Sequence, residues 1–456
     1  MDIKEKAKLF AINTHYGQVR KNEKDKPMII HPINVANILS EYDFDDNVIA
    51  AGYLHDVVED TKYNDEDILK EFGEDVLSLV IGDSEPDKKL SWEERKQYTI
   101  DKVKTLDIRH KAVVCADKIS NLEDLQIVFE KNGKYDFSNF NRGYEKQKWY
   151  FTSLYDSLIL NEDENFEMFK RLKSLIDEIF NDVNNFEILD KIFKDNVEEI
   201  KILKKIHYQK QELKKLSTIF NFKPYVIEFT GTPRTGKTTL INNLKDFFKK
   251  VKFSVDILEE FTTSDNYKKN IYPKLKNHYT NIVNFVIPKY VLKQLNETIE
   301  CNNDIIIVDR SLFDRLIWVD RLFLKDGIDL RDYDNYKLKY IPLIKDKINI
   351  VIATYTDSFT AVSRDYNANL SIEKRSFLNE YNVDEYNKSL LNMKELANKE
   401  DVNFYLFDTT DKNQRKISFE VIEYILDDMR KYYLSNIKVN IERCRKQYLN
   451  KINIML

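Results

Sequence analysis

Residues that could bind a metal ion recur at three separated points in the N-terminal part of the chain. Two imidazoles and two carboxylates could bind one cation there: His31, His55, Asp56 and Asp117. Mixed nitrogen and oxygen ligands suit Mn²⁺, Fe²⁺ or Zn²⁺ better than Ca²⁺. Asn121 follows Asp117 by four residues, so both would share one helix face. A His–Asp pair on a helix is more often a surface hydrogen bond, but four candidate ligands in this order favour a metal site.

Two further carboxylates follow the His55–Asp56 pair at helical spacing. Glu59 and Asp60 lie three to five residues after that pair, and positions at this spacing share one face of a helix. The candidate ligands and these two carboxylates would therefore point at the same volume. Carboxylates in such a place could accept a proton from an attacking water molecule.

A phosphate-binding motif lies in the second half of the chain. The segment GTPRTGKT at 231–238 fits the pattern G-x-x-x-x-G-K-[ST] and lies between a predicted strand and a predicted helix. Backbone N–H groups of such a loop wrap the phosphates of ATP, and the helix N-terminus adds a favourable dipole. Lys237 would reach the β- and γ-phosphates, and Thr238 would bind Mg²⁺. The predicted nucleotide-binding residues are Gly231, Thr232, Pro233, Arg234, Thr235, Gly236, Lys237, Thr238 and Thr239.

Length, composition and charge limit the class of protein. The chain has 456 residues, of which 42% are hydrophobic and 33% charged, and this profile is typical of a globular protein with more than one domain. A net charge of −5 argues against a protein that coats nucleic acid through a generally basic surface. Three widely spaced cysteines form neither a disulfide framework nor a zinc motif. Without a signal peptide or a long apolar run, we expect a cytoplasmic protein with no membrane partner.

The elements that must position these residues differ between the two halves. Apolar residues recur at helical spacing through residues 1–160, and Asn64 with Asp67 predicts a helix start that would end near Gly73. From residue 223 onward, short β-rich runs alternate with helical stretches, which predicts a doubly wound parallel sheet. The predicted strands are 224–230, 253–258, 304–309, 348–354 and 402–407.

The sequence therefore predicts an all-α domain and an α/β domain joined by a helical connector. The predicted parts are an N-terminal domain at 1–160, the connector at 161–222, a P-loop domain at 223–412 and a C-terminal helical segment at 413–456. The connector or the C-terminal helices could pack between the domains or form the interface of a homo-oligomer.

Motifs spread over roughly residues 1–155 resemble one family. The segments that carry the resemblance are HYGQVRK (15–21), HP (31–32), HDVVEDT (55–61), FG (72–73), DSEPDKKLSWEERK (83–96) and ADKISNL (116–122). Together they resemble the HD-domain hydrolases of the RelA/SpoT type, and most closely the short class similar to the metazoan SpoT homologue. The resemblance implies an all-α HD domain that removes the 3′-pyrophosphate of ppGpp or pppGpp with the help of Mn²⁺.

The same resemblance assigns roles to individual residues. It implies that the four candidate ligands hold Mn²⁺ and that Glu59 and Asp60 orient or deprotonate the attacking water. Asn121 would position the nucleotide, and Arg20 and Lys21 match a basic pair beside the substrate, although both could be ordinary solvated residues. Nothing after residue 160 resembles an alarmone synthetase, so we expect hydrolysis without synthesis. Related HD hydrolases accept NADPH or other nucleotides, which leaves the substrate less certain than the reaction.

The second half resembles nucleoside and nucleotide kinases of the thymidylate-kinase and deoxynucleoside-kinase group. The run IIIV is followed by Asp309-Arg310-Ser311, similar to the acid–Arg motif of that group. The resemblance implies that Asp309 touches the Mg²⁺ shell or the acceptor and that Arg310 binds the acceptor. Glu260 matches the acceptor-binding or base carboxylate, with Glu259 as the second choice.

A segment at 363–375, SRDYNANLSIEKR, is similar to the lid of these kinases. Arg364 and Arg375 could close on the transferring phosphate, where positive charge would stabilise the transition state. A solvated helix with salt bridges would explain both arginines as well. The acceptor of the phosphoryl group stays unassigned.

Three functions remain open at this point. The first is a bifunctional enzyme that joins an HD pyrophosphohydrolase to an ATP-dependent kinase. In the second, the P-loop domain senses ATP or GTP and regulates the hydrolase. The third is a polynucleotide kinase and phosphatase that processes nucleic-acid ends, which the acidic balance makes a weaker choice. A local basic groove would permit it, near Lys268, Lys269, Lys274 and Lys276.

Overall fold

The chain packs into two compact units. The computed structural model describes residues 1–20, 23–84, 89–132, 142–180, 191–194, 196–275, 280–369 and 378–455. The N-terminal unit comprises residues 1–221 and 430–456, and the sheet unit comprises residues 222–429. The sequence suggested a separate connector at 161–222 and a separate C-terminal segment, whereas the described residues of 161–221 and 430–455 belong to the same compact unit as the N-terminal helices.

The N-terminal unit is built mainly from helices. Before the last helix of the chain they are α1 (Ile3–Thr14), α2 (Ile30–Glu41), α3 (Asp46–Leu54), α4 (Val57–Asp60), α5 (Asp65–Asp83), α6 (Trp92–Val103), α7 (Ile108–Asn132), α8 (Tyr144–Ile159), α9 (Glu167–Phe180) and α10 (Val197–Ser217). Helix α7 packs against α2, α3, α5, α9 and α10, and its residues 112–117 are buried. The core of the unit therefore surrounds the helix that carries Asp117.

Local signals in the sequence explain the ends of these helices. Asn64 and Asp67 form a reciprocal capping box at the start of α5, as the sequence predicted. The backbone of Gly73 has φ +86°, a conformation that favours glycine, and it interrupts the helical geometry inside α5 where a stop was expected. The sequence did not predict a short antiparallel hairpin, β1 (Val19–Arg20) and β2 (Glu23–Pro27), because its polar residues show no strand pattern.

The sheet unit contains five parallel strands, which confirms the predicted strands and the parallel sheet. They are β3 (Tyr225–Gly231), β4 (Val255–Leu258), β5 (Ile305–Asp309), β6 (Ile350–Tyr355) and β7 (Phe404–Asp408). Their order in the sheet is β4-β5-β3-β6-β7. Strands β4 and β5 thus lie on one side of β3, and strands β6 and β7 lie on the other side. Every residue of β3 is buried. Ligands of such sheets bind at the carboxyl end of the strand where the order reverses, and the P-loop follows β3 at that point.

Helices cover this sheet. They are α11 (Lys237–Lys249), α12 (Tyr272–Leu275), α13 (Thr280–Ile299), α14 (Leu312–Leu324), α15 (Leu330–Lys347), α16 (Ser358–Asn369), α17 (Glu380–Lys399) and α18 (Gln414–Met455). Helix α18 begins in the sheet unit, and its residues from Arg430 onward belong to the N-terminal unit. Within the described part of the chain, no helix has both the length and the apolar character to span a membrane.

Candidate functional sites

Helices α2, α3 and α7 bring the candidate metal ligands together. His31 lies in the first turn of α2, His55 directly follows α3, and Asp117 lies on α7. Helices α2 and α3 approach closely at Gly52, where an added Cβ would lie 2.7 Å from Leu39 Cδ1 and 3.1 Å from the Cα of the α2 residue at position 36. The absence of a side chain at Gly52 therefore permits the close helix approach that brings the two histidines together, with their rings edge to face at 70°.

Four ligand atoms converge at this point. The two Nε2 atoms of His31 and His55 are 3.3 Å apart, and Nε2 of His31 is 3.0 Å from Oδ1 of Asp117. Asp56 Oδ2 is 3.3 Å from Nε2 of His55 and 3.7 Å from Nε2 of His31. Ligand atoms of His31, His55 and Asp117 all lie within 4.8 Å of one another. Both imidazoles are buried, with 3% of each residue exposed.

The hydrogen bonds of the two rings show that the site fits a divalent cation. Nδ1 of His55 donates to the carbonyl oxygen of Gly52 at 2.9 Å, so the neutral ring presents the lone pair of Nε2 to the cluster. Nδ1 of His31 is hydrogen-bonded to Oγ of Ser120 at 3.0 Å, which holds that ring with Nε2 toward the cluster. Two imidazole nitrogens and two carboxylate oxygens that face one another form a donor set that suits a divalent cation.

The electrostatic environment agrees with a cation site. Burial opposes a charge on His55, but the neighbouring carboxylates of Asp56 and Asp117 outweigh it and raise the pKa of His55 to about 10. Burial likewise opposes the negative charge of Asp56, yet His55 and His31 hold the pKa of that carboxyl below its usual range. The negative potential that attracts a proton to this site would equally attract a metal ion.

The metal cluster opens into a cavity of about 720 Å³ that also contains the other predicted site residues. Arg20, Glu59, Asp60 and Asn121 all line it. Asn121 donates to Oδ1 of Asp117 at 2.6 Å and accepts a long hydrogen bond from Arg20 at 3.4 Å. Lys21, the other half of the predicted basic pair, lies outside the described residues.

The P-loop of the sheet unit adopts a conformation that requires its glycines. Gly231 has φ +123° and Gly236 has φ +84°. A Cβ at Gly231 would lie 2.0 Å from the carbonyl oxygen of Thr354. The loop wraps around Nζ of Lys237, which donates to the carbonyl oxygens of Gly231 at 3.1 Å and Thr232 at 2.9 Å. Burial and the nearby guanidinium of Arg310 lower the pKa of Lys237 to about 7.

The remaining P-loop residues have distinct environments. Thr238 and Thr239 are exposed at the start of α11, where their hydroxyls are open to a ligand. Thr235 is buried, with Oγ1 bonded to the carbonyl oxygen of Thr232 and to the hydroxyl of Thr354. Arg234 forms an ion pair with Asp365 of α16 at 2.5 Å.

The acid–Arg motif lies beside the P-loop at the end of β5. Oδ1 of Asp309 is buried and has no hydrogen-bond partner among the described residues, and burial raises the pKa of this carboxyl. An unpaired carboxylate oxygen next to a phosphate loop fits a Mg²⁺ ion bound with ATP. Arg310 donates to the carbonyl oxygen of Gly231 at 3.0 Å and to Oδ1 of Asp314 at 2.8 Å. Its Nε is 3.6 Å from Oε2 of Glu260.

A cavity of about 200 Å³ adjoins these residues. Glu260 and Arg310 both line it, together with Pro233, Trp318, Asn382, Val383 and Tyr386. The predicted lid arginine Arg364 is elsewhere, donating to the carbonyl oxygens of Thr409 at 2.7 Å and Thr410 at 3.1 Å. Arg375 lies outside the described residues, and so does Lys276 of the suggested basic groove.

Comparison with known proteins finds similarity in the N-terminal part of the chain. Residues 7–136 match the family model described as HD domain. Over 120 residues the chain is 42% identical to the Drosophila melanogaster protein named guanosine-3′,5′-bis(diphosphate) 3′-pyrophosphohydrolase MESH1, covering 26% of this chain and 66% of that protein. The match thus spans just under two thirds of that relative and about a quarter of this chain.

Two solved structures are similar to parts of the chain. One is described as a metazoan ortholog of SpoT that hydrolyses ppGpp, with 31% identity, a TM-score of 0.34 and coverage of 40% of this chain and 96% of that chain. The other is a deoxyadenosine kinase from M. mycoides with bound products, with 22% identity, a TM-score of 0.31 and coverage of 44% of this chain and 98% of that chain.

The HD domain contains functional residues that the sequence analysis missed. Ser120 fixes the ring of His31, and Lys118 forms an ion pair with Asp117. Oδ1 of Asp83 is buried without a hydrogen-bond partner in the described structure, 3.7 Å from Nζ of Lys118, and burial raises the pKa of that carboxyl. Ser120 and Lys118 lie inside the motif ADKISNL, so their closeness to Asp117 in the sequence could have indicated that they belong to the cluster. Asp83 is the first residue of the segment DSEPDKKLSWEERK (83–96), which carries part of the resemblance, but the sequence analysis assigned it no role.

The P-loop site also includes residues without a sequence signal. Glu228, buried in β3, accepts hydrogen bonds from the backbone N–H groups of Ser311, Phe313 and Asp314 at 2.8–3.0 Å. This carboxylate therefore caps α14 and holds the acid–Arg loop against the central strand. Tyr386 of α17 donates to Oδ1 of Asp314 at 3.0 Å, and this carboxylate also binds Arg310.

Proposed function

We propose that the HD domain is a Mn²⁺-dependent hydrolase that removes the 3′-pyrophosphate of ppGpp, pppGpp or a closely related nucleotide. The observation that carries the proposal is the convergence of two imidazoles and two carboxylates at one end of a cavity large enough for a nucleotide. The name and the 42% identity of the Drosophila relative support this choice of substrate.

In this proposal His31, His55, Asp56 and Asp117 hold the metal ion. Bound Mn²⁺ would lower the pKa of a water molecule and offset negative charge at the phosphorus atom. Oxygen from water joins that phosphorus, the bond to the 3′-oxygen breaks, and the 3′-oxygen leaves with a proton. The products from ppGpp are GDP and pyrophosphate.

Other residues of the cavity handle the proton and the anionic substrate. The carboxylates of Glu59 and Asp60 would orient the water and accept its proton. The guanidinium of Arg20 would pair with a phosphate, and Asn121 would position the nucleotide while it holds Asp117. Lys21, next to Arg20 in the chain, would add a second positive charge.

Product analysis tests the proposal. Purified full-length protein is incubated with Mn²⁺ and ppGpp, and the products are separated by anion-exchange chromatography. The expected products are GDP and pyrophosphate, absent in the His55→Ala, Asp56→Ala variant. No turnover of ppGpp by the wild type would reject the alarmone as substrate, and NADPH and deoxynucleotides would then be tested under the same conditions.

For the sheet unit, we propose ATP- and Mg²⁺-dependent phosphoryl transfer to an acceptor bound in the adjoining cavity. The unpaired oxygen of Asp309 beside the P-loop supports Mg²⁺ binding, with Thr238 as a second ligand. Lys237 would bind the β- and γ-phosphates. Glu260 and Arg310 would bind the acceptor in the 200 Å³ cavity that they line.

For the lid residues, closure on the transferring phosphate of the proposed kinase stays a prediction. Arg364 would have to leave the carbonyl oxygens that it now binds before it could reach a transferring phosphate. Acceptor-dependent ADP formation, measured with a panel of nucleosides and nucleotides, tests the kinase. Slow ATP hydrolysis without an acceptor, together with a rate of ppGpp hydrolysis that depends on ATP concentration, would instead favour a P-loop domain that regulates the hydrolase.

A further inference from the structure

The hairpin β1–β2 brings both a positive and a negative side chain to the HD cavity. Arg20 of β1 and Glu23 of β2 line the cavity. Arg20 is a candidate for binding the anionic substrate, whereas a bare carboxylate at Glu23 would repel that substrate. The interactions that orient the hairpin and neutralise Glu23 therefore affect how well the site can bind a phosphorylated nucleotide.

A buried lysine under the hairpin is enclosed by carboxylates. Lys26 is 3% exposed, and its Nζ is 2.7 Å from Oε2 of Glu23 and 3.3 Å from Oε1 of Glu212. Burial opposes the charge of Lys26, but Asp124, Glu212 and Glu23 together raise the pKa of the ammonium group. Glu212 lies on α10 and is itself 2% exposed, so the hairpin is tied to a helix beyond the HD family match.

An arginine of the last helix completes this network. Nε of Arg430 is 3.1 Å from both carboxylate oxygens of Glu212. Its Nη2 is 3.2 Å from Oε1 of Glu23, and its Nη1 is 2.7 Å from Oδ2 of Asp25. We call Glu23, Lys26, Glu212 and Arg430 the hairpin clamp. Two positive charges thus neutralise the two carboxylates of the clamp.

Arg20 lies opposite Glu23 of the clamp in the hairpin, and one more carboxylate, that of Asp124, holds the side chain of Arg20. Nη2 of Arg20 donates to Oδ2 of Asp124 at 2.9 Å, and Lys215 of α10 lies 3.6 Å from Oδ1 of the same residue. Burial opposes the charge of Asp124, but Lys26, Lys215 and Arg20 keep its pKa below the usual range. Asp124 is therefore anionic and holds Arg20 at the edge of the cavity.

We infer that Lys26, Glu212 and Arg430 are positioning residues for the HD site: Glu212 holds Lys26 and Arg430 beside the hairpin, and these two cations neutralise Glu23 and keep Arg20 in place, so that an anionic nucleotide can bind. The inference rests on the proposed hydrolase function. It assigns substrate affinity in part to two residues, Glu212 and Arg430, that lie outside residues 7–136. None of the three is a candidate metal ligand, and the contacts described above join them to Glu23, Asp25 and one another, so we expect the affinity for Mn²⁺ to change little when they are replaced.

Two substitutions test the inference, and both leave buried Lys26 paired with Glu23. Glu212→Gln keeps the shape of the side chain, and Arg430→Met keeps much of its length. Each should raise KM for ppGpp about five- to twentyfold, since charge-assisted hydrogen bonds are among the stronger ones in proteins. The kcat and the affinity for Mn²⁺ should stay within about twofold of wild type, a change too small to reflect a lost interaction.

Arg109→Met is the matched control. Arg109 also forms two ion pairs in the N-terminal unit, with Asp45 at 2.9 Å and Asp75 at 2.7 Å, but it does not line the cavity. Its removal should leave KM for ppGpp unchanged. A rise of KM in this control equal to that in Arg430→Met would mean that loss of any ion pair disturbs the unit, and it would overturn the inference.

A double-mutant cycle separates positioning from general stability. In an Arg20→Ala background, Arg430→Met should raise KM much less than it does in the wild type, because the group that it positions is gone. Its effect on the melting temperature should be the same in both backgrounds. Equal effects on KM in both backgrounds would show that the clamp does not act through Arg20.

Amide hydrogen exchange gives a readout that does not require turnover. Both clamp variants should accelerate amide exchange at residues 23–26 relative to wild type and to Arg109→Met. Unchanged exchange in the hairpin would overturn the inference even if KM changed. If wild-type protein hydrolyses no ppGpp, the proposed function fails, while the exchange experiment still decides whether the clamp holds the hairpin.

Discussion

Replacing Ser120 with alanine should weaken metal binding at the HD site while the domain stays folded. The hydroxyl of Ser120 is 3.0 Å from Nδ1 of His31 and is fully buried. This is the side-chain contact that holds the imidazole with Nε2 toward the cluster. The ring of His55, in contrast, is held by the backbone carbonyl of Gly52, which no substitution removes. A side-chain substitution can therefore remove the orienting hydrogen bond of His31 but not that of His55.

The expected magnitude follows from the chemistry of such contacts. Loss of a group that orients a metal-binding histidine typically lowers metal affinity by about 10- to 100-fold. Removal of one buried hydroxyl, with little change in volume, costs about 1 kcal/mol of stability. Ser120→Ala should thus raise the Kd for Mn²⁺ by about 10- to 100-fold and leave kcat at saturating Mn²⁺ close to wild type.

Titration of Mn²⁺ followed by electron paramagnetic resonance measures the free ion directly and gives this Kd. Ser157→Ala is the matched control, because Ser157 is also buried but its hydroxyl bonds to the carbonyl oxygen of the α8 residue at position 153. An unchanged Kd in Ser120→Ala would refute the assignment of His31 as a ligand held by Ser120. Equal losses in both serine variants would show a general effect on stability instead.

Three further predictions concern the metal and the P-loop. Chelation with EDTA should abolish ppGpp hydrolysis by the wild type, and added Mn²⁺ should restore it. Added Mn²⁺ should not give activity in His31→Ala. Activity that survives chelation would contradict the metal site. Lys237→Ala should abolish ATP binding, measured by calorimetry, since this ammonium is the main positive charge inside the loop. Binding at wild-type affinity would exclude the P-loop as the nucleotide site. Gly231→Ala should destabilise the sheet unit by about 3 kcal/mol or more, because its Cβ would meet backbone atoms of Thr354 at a positive φ. Urea unfolding checks this, and an unchanged midpoint would contradict it.

The sequence analysis selected metal-binding candidates that lie together in the structure because their signals are local. His31, His55 and Asp117 each lie in a short motif, and the packed helices bring their side chains into one cluster. The start of α5 at Asn64 and the interruption at Gly73 were predicted for the same reason, since capping and left-handed backbone depend on neighbouring residues. The five strands followed from their apolar runs.

Interactions between distant parts of the chain could not be predicted. Arg430 and Glu23 are 407 positions apart, and no local pattern indicates that they pair. Glu228 looked like an ordinary polar position in a strand, yet it caps a helix that begins more than eighty residues later. Such contacts depend on how the elements pack, so only the folded chain shows them.

Position-specific labelling tests the central claim most directly. ppGpp that carries ³²P in the 3′-pyrophosphate is incubated with the full-length protein and Mn²⁺, and the products are separated. The proposed reaction predicts that all released label is pyrophosphate and that the unlabelled product is GDP. Label released as inorganic phosphate, or label retained on the nucleotide while the 5′-phosphates are lost, would contradict 3′-pyrophosphate hydrolysis at this HD domain.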